Sequence, residues 1–375
     1  MEVLRKSTKF QLLFCCTVCL VVMVYGYKGR GEYADHRLVP AMYIFGDSLT
    51  DNGNNNYIPA IARSNYFPYG IDFGYPSGRF CNGLTVVDYG ARMLGLPLIP
   101  PYLSLASKGT NIGLEGFNYA SAAAGILDET GGNYAARVSM NAQLLMFEKT
   151  IKLQLPSKFK SQEDLAEYLS KSMYYIAMGS NDYINNYLMP NLYPSSKLLT
   201  PEGFADYLIS TLSNQLVRLY NLGARKMVLV AIGPLGCIPS QLSMVSGEHG
   251  CIEHVNYLVR VFNSRLLQLS KTLTSNLPGA TLVFQDVYKA VNEMVQNPNR
   301  FGLTVVNHAC CGNGRYGGAV TCLPLEKPCP NRNKYVFWDA FHPTQFVNQV
   351  IANRSFRSEA SVDCYPISVG QLARL

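Results

Sequence analysis

Charge is in short supply in this sequence: 15% of residues are Asp, Glu, Lys or Arg, against 48% hydrophobic. With glycine and proline at ordinary levels, that balance excludes a disordered or fibrous chain and implies a sizeable buried core. The positive charge present does not cluster. The formal net charge is +7, and taking away Glu2, Arg5, Lys6 and Lys9 removes +2 to leave about +5, scattered along the chain. Without a basic stripe or a recognisable module, no nucleic-acid partner is expected.

Long apolar runs are equally scarce. The longest, Phe10 to Tyr25, follows Arg5, Lys6 and Lys9 and is about 16 residues. That is at or below the ~17 to 25 residues of a membrane-spanning helix, and the pattern is that of a secretory signal peptide. Cleavage near Gly26 or Tyr27 is expected, so residues 1–27 form the leader and 28–375 a single domain, with no integral membrane segment once the leader is gone. The address this implies is secreted, extracellular. Asn353-Arg354-Ser355 is the one N-x-[ST] acceptor, a possible N-glycosylation site at Asn353 in a secreted chain.

Among His308, Cys310, Cys311, Cys322 and Cys329 no C-x-x-C pair or paired-histidine spacing occurs, so they are not read as a metal site. Of 11 cysteines, Cys15, Cys16 and Cys19 leave with the leader. Cys81, Cys237, Cys251, Cys310, Cys311, Cys322, Cys329 and Cys364 remain, and in an oxidising compartment disulfides are their default state, with 105 pairings open to eight cysteines. Gly247–Gly250 and Gly312–Gly318 lack the lysine and the setting of a phosphate loop and read as loops beside Cys251 and Cys310.

What the sequence does have is alternation. Apolar, β-branched and aromatic runs at 41–45, 115–120, 173–178, 226–232 and 280–285 read as buried strands. Between them, 84–95, 139–153, 162–171, 202–222 and 251–276 carry helical spacing. Phe204, Leu208, Leu212, Leu216 and Leu219 recur at intervals of three and four before Gly223, a helix stop. The fold class is therefore α/β: a doubly wound, mainly parallel five-stranded sheet with helices on both faces. The stretch 302–336, rich in Gly, Pro and Cys, reads as a disulfide-tied excursion before the last helix.

In such sheets ligands bind beyond the carboxyl ends of the strands. The first strand delivers Gly46-Asp47-Ser48, the second Ser121 to Gly125, the third Gly179 to Asp182. A nucleophilic serine needs a base and a group to orient it. Five histidines are available, His36, His249, His254, His308 and His342, and His342 stands three residues after Asp339. Oxyanion donors would be the backbone N–H of Ser48, a backbone N–H of the 121–125 turn, and the Asn181 amide. A second glycine of G-x-S-x-G is missing, since Thr50 occupies its place, which excludes a nucleophile elbow of the α/β-hydrolase kind. Asn52, Gly53, Asn54, Asn55 and Asn56 are read as framing the loop, with Asp47 and Asp182 as turn and network residues.

The blocks FGDSLTDNGNNN, GFNYASAAAGILDETG, YYIAMGSNDYINNY, GPLGCIP and YVFWDAFHPT together resemble the plant-type GDSL esterase/lipase family of the SGNH hydrolases, over nearly the whole mature chain. The resemblance implies a flavodoxin-like three-layer sandwich and a secreted esterase or lipase acting on carboxylic esters, of lipids, acetylated glycans or small molecules, with no cofactor. By position, Ser48 matches the nucleophile, Asp339 and His342 the other triad members, and Asn181 an oxyanion donor. In the second block Ala122 and Ala123 replace paired glycines, so the backbone donor falls to Gly125, or to Ala123 if positive φ is not required there. The expected partner is an ester substrate, lipid or cell-wall, and the chain is expected to be a monomer. An acyltransferase on the same scaffold and a catalytically silent lipid- or glycan-binding protein are the alternatives.

Overall fold

Four strands form where the β-branched and aromatic runs lie: β1 (Met42–Gly46), β2 (Met173–Ala177), β3 (Lys226–Val230) and β4 (Thr281–Gln285). The computed structural model describes residues 37–106, 113–247, 250–357 and 362–375. The expected leader, with His36 and His249, lies outside them, and Val39–Leu375 make up one unit.

The four strands are parallel neighbours in the order β1-β2-β3-β4, with Ile44 opposite Tyr175 and Val228 opposite Val283. Both sheet faces are covered, which is why β1 and β2 are buried at every position and read as continuous apolar runs. Tyr43 and Phe45 face the helix Met140–Lys149 through Phe147, whose ring centroid is 4.9 Å from that of Tyr43. Helices Pro201–Asn221 and Glu253–Asn276 extend that layer. The opposite face is covered by helices Val86–Met93, Val287–Gln296 and Gln345–Arg357.

Local chemistry explains the long helix. Thr200 Oγ1 accepts the Gly203 N–H at 3.1 Å, Pro201 occupies the first helical position, and Phe204, Leu208, Leu212, Leu216 and Leu219 are buried along one stripe. The sheet then adds the short antiparallel strand Cys364–Tyr365 beside β4. Two residues carry no periodicity, so sequence pattern does not reveal this strand.

One expected strand is corrected. Residues 115–120 run parallel to the free edge of β1, with Ile44 N–H donating to Phe117 O and Tyr119 N–H to Ile44 O, yet only an isolated bridge, Ile44 to Asn118, results. Gly116 at φ +100° bends the segment so close to β1 that a Cβ would fall 2.0 Å from Met42 O. On the edge that faces away from β1, the Asn118 side chain takes the Ala120 N–H. Counted by its hydrogen bonds, the segment restores the doubly wound order 2-1-3-4-5, whose switch point lies between β1 and β2.

The cysteine expectation is corrected in part. Cys237–Cys251, Cys310–Cys329 and Cys311–Cys322 are disulfides, the last two tying down the excursion before the final long helix. Cys81 and Cys364 are free and buried, each thiol engaged with a backbone carbonyl, of Leu84 and Ser355 respectively. Burial pushes both thiols up to about 12, which removes the thiolate that oxidation requires.

Candidate active site

The three polar turns meet at one cavity of about 170 Å³ beyond the strand ends, lined by Ser48, Ala122, Ala123, Asn181, Asn185, Asp339 and His342 together with Ile61, Tyr66, Tyr69, Phe80, Ile184 and Phe341. Ser48 follows β1 directly. The chain folds back through bonds from the Thr50 and Asp51 N–H groups to Asp47 O, and Asp47 Oδ1 accepts the Leu49 N–H at 2.9 Å. This turn leaves the Ser48 side chain projecting into the cavity.

Ser48 Oγ lies 2.7 Å from His342 Nε2, and His342 Nδ1 lies 2.8 and 2.9 Å from the two oxygens of Asp339. A carboxylate only accepts, so Nδ1 carries the proton and Nε2 accepts from Ser48. Asp339 is fully buried and also accepts the backbone N–H groups of Phe341 and His342, each at 2.8 Å, and the Tyr69 hydroxyl at 2.6 Å. Burial alone would raise its pKa, but its interaction with His342 and these donors outweigh burial and hold it below the ordinary carboxylate value.

Asn181 sits in the short helical turn Ser180–Asp182. Its Nδ2 donates to Ala124 O at 2.9 Å, while Asn185 Nδ2 donates to its Oδ1 at 2.6 Å. The second Nδ2 hydrogen has no partner among the described residues. The Ser48 and Ala123 N–H groups are likewise unbonded there. Ala123 adopts φ +65°, so the condition attached to it from sequence is not met: an alanine holds the left-handed conformation, at a cost of about 1–2 kcal/mol. Gly125 lies behind the wall, where a Cβ would fall 2.4 Å from Thr130 Cγ2 and 2.6 Å from Asp182 Oδ1.

The polar cluster after Ser48 frames the site from beneath. The Asp51 carboxylate accepts N–H groups from Gly53, Asn54, Asn55 and, across the cavity floor, Ala122. Asn54 donates to Asn118 O and Ala120 O, and Asn55 to Ala122 O. Asp182 clamps the far end of the same turn through Ile126, Leu127 and Thr130. Burial pushes Asp47 up to about 7 and Asp51 and Asp182 up to about 6.

Sequence reasoning missed Tyr69, Gln143 and Asn185. Asn185 was open to discovery, one helical turn after Asn181. Gln143 bonds both the N–H and the carbonyl of Gly46 from a helix some distance along the chain, and Tyr69 reaches Asp339 from 270 residues away. Asn353 falls elsewhere, half-buried in the helix Gln345–Arg357, with the Ser355 hydroxyl of its acceptor motif buried and bonded to Ile351 O.

The GDSL-like lipase/acylhydrolase family matches residues 42–355. The chain belongs to that family. GDSL esterase/lipase 7 of Arabidopsis thaliana is 60% identical over 361 residues, 96% of this chain and 99% of that protein. A second Arabidopsis thaliana GDSL esterase/lipase is 49% identical over 340 residues, 90% of this chain and 86% of the other. Among solved structures, an extracellular lipase from Streptomyces rimosus aligns at TM-score 0.34 and 15% identity, over 84% of this chain and 94% of that one. As a GDSL family member the protein is a carboxylic ester hydrolase. Among the described residues no helix is long and apolar enough to cross a membrane.

Proposed function

We propose that this GDSL hydrolase is a secreted serine esterase or lipase working through Ser48, His342 and Asp339. The observation supporting this is the unbroken hydrogen-bond chain from buried Asp339 through His342 to Ser48, opening on a cavity with three unspent N–H donors. Ser48 Oγ attacks the ester carbonyl as its proton passes to His342 Nε2, and Asp339 holds the imidazole tautomer and stabilises its cation. The oxyanion is received by the Ser48 N–H, the Ala123 N–H and the Asn181 amide. Ala123 is favoured over Gly125 because it lines the cavity. Collapse breaks the bond to the alcohol oxygen, which takes the proton from His342. Water, deprotonated by the same imidazole, then releases the acid and restores Ser48.

The test is intact-mass analysis of wild type and Ser48→Ala after exposure to an organophosphonate, with p-nitrophenyl ester hydrolysis alongside. One adduct on wild type, none on the variant, and a loss of turnover of about 10³-fold or more are expected. A folded wild type that takes no adduct would return Ser48 to a residue that ends a strand.

A further inference from the structure

Apart from the His342 imidazole, the charged side chains that line the catalytic cavity are Asp339 and Arg63, and the reaction as written uses only the first. Asp339 is held by His342, Tyr69 and two backbone N–H groups. Arg63 has no acidic partner among the described residues. Its one hydrogen bond runs from Nη2 to the carbonyl of Ile58, and its Nε is buried without an acceptor. The carboxylates beneath the turn do not compensate it: Asp51 accepts from four backbone N–H groups, and Asp182 from Ile126, Leu127 and Thr130.

The loop that carries Arg63 is fixed against the turn at 121–125. Asn55 Nδ2 donates to Ala62 O at 2.9 Å and to Ala122 O at 3.2 Å, so one amide ties the residue before Arg63 to the residue before Ala123. Ile61 N–H donates to Tyr134 O at 3.1 Å. Arg63 is half-buried, beside an apolar lining of Ile61, Tyr66, Phe80, Ile184 and Phe341. A guanidinium cannot shed its charge at working pH and carries five N–H donors in a rigid fork. Ile58 O takes one hydrogen of Nη2, and the other completes a two-donor edge with Nη1 or Nε. Against an apolar wall such a cation is costly unless an opposite charge meets it, and the attraction strengthens as water leaves.

We infer that this edge receives a carboxylate: with Ser48 acting as proposed above, the substrate is an ester whose acid or alcohol part bears a second, ionised carboxyl group. Hydrolysis then releases a dicarboxylic acid in the first case and a hydroxy acid in the second. A carboxylate sets one charge on two oxygens in a plane, which matches one edge of a guanidinium. A phosphate monoester brings nearly two charges and three acceptor oxygens, more than this single cation satisfies. The cavity, of about 170 Å³, keeps the carboxylate within a few bonds of the scissile ester.

The test measures kcat/KM on two pairs of esters in which a carboxamide replaces the carboxylate. In the first pair, the p-nitrophenyl esters of adipic acid and of its monoamide, the group lies on the acyl side; in the second, acetoxybutanoate and acetoxybutanamide, it lies on the alcohol side. The ratio of carboxylate to carboxamide ester is its own control for folding and active-enzyme content. In wild type it is expected to favour the carboxylate by about tenfold or more in one pair, and Arg63→Gln should lower it by about tenfold or more. The pair that responds assigns the carboxylate to the acyl or the alcohol part. Arg63→Lys, which keeps the charge and loses the fork, should fall between the two, and Arg63→Glu should bring the ratio below one. A wild-type ratio near one in both pairs would overturn the inference even where no variant folds. Variants that slow both members of a pair equally would also overturn it, and would make Arg63 a support of its loop or of the oxyanion. A wild type that prefers acetoxypropyl phosphate to acetoxybutanoate would replace carboxylate by phosphate and sink the class named here. Should wild type take no organophosphonate adduct, the failure is that of the Ser48 reading; an adduct with ratios near one sinks only the carboxylate subsite.

Discussion

The loop after β1 and the turn at 121–125 face the same serine from opposite sides, and they differ in how their hydrogen-bonding capacity is spent. In the loop, Asp51 accepts from Gly53, Asn54 and Asn55, and the asparagine amides donate to carbonyls across the floor. The turn is anchored at Ala122 and again by Asp182 beyond Gly125, yet leaves the Ala123 N–H unspent at its crest. The saturated loop supplies rigidity, and in the proposed mechanism the unspent donor supplies chemistry, because a pre-aimed N–H stabilises developing charge without reorganising.

The sharpest way to break this contrast is at the unspent donors. Asn181→Ala should lower kcat by about 10² to 10³-fold; a folded variant turning over at the wild-type rate would take Asn181 out of the oxyanion site. At the saturated side, Asp51→Ala strips the acceptor from four backbone N–H groups. It should destabilise the fold by about 3 kcal/mol in urea unfolding, and an unchanged midpoint would show the loop holds itself without the carboxylate.

A gentler probe is pH. Asp47, raised to about 7, and Asp51 and Asp182, raised to about 6, take up protons in the folded chain before an unfolded carboxyl does at ~3.9. Their charged forms cost stability above those values, and the cost is relieved as pH falls from about 7 towards 4. Asp339 runs the other way: its lowered pKa stabilises the fold above ~3.9, and that contribution is lost only as pH falls through its folded value. The urea midpoint should therefore be higher near pH ~5 than near ~8, with Asp47→Asn narrowing the gap; a higher midpoint at the alkaline end would contradict the burial cost assigned to these carboxyls. The smallest effect belongs to Ala123→Gly. Relief of the left-handed alanine, about 1–2 kcal/mol, less the entropy of a glycine, about 0.5–1, leaves a net gain of about 0.5 kcal/mol in thermal unfolding. A net loss would mean that the Ala123 methyl packs more than it strains.

Much of the site was legible because its parts sit at strand ends that announce themselves. Ser48 follows an apolar run, Asn181 another, and Asp339 and His342 are three residues apart, so the spacing already places carboxylate beside imidazole. Gly125 against Ala123 was not legible, because which N–H faces the cavity depends on how Asp51 and Asp182 pin the turn's two ends. Tyr69 left no local signal, since its role arises only when a distant loop folds over Asp339. The strand expected at 115–120 is reduced to a bridge for a related reason: its apolar pattern is real and it bonds to β1, but Gly116 bends it there and the Asn118 side chain occupies its outer edge.

The residue types and their order along the chain determined the α/β alternation, the helix stripes and the residues proposed as the triad, because periodicity, capping and short spacings are local properties. Tertiary structure alone decided which six of the eight described cysteines pair, and which turn donor reaches the cavity. Those depend on distances between segments far apart in sequence, and such distances are set only when the sheet register and the packing of helices on its two faces are both in place.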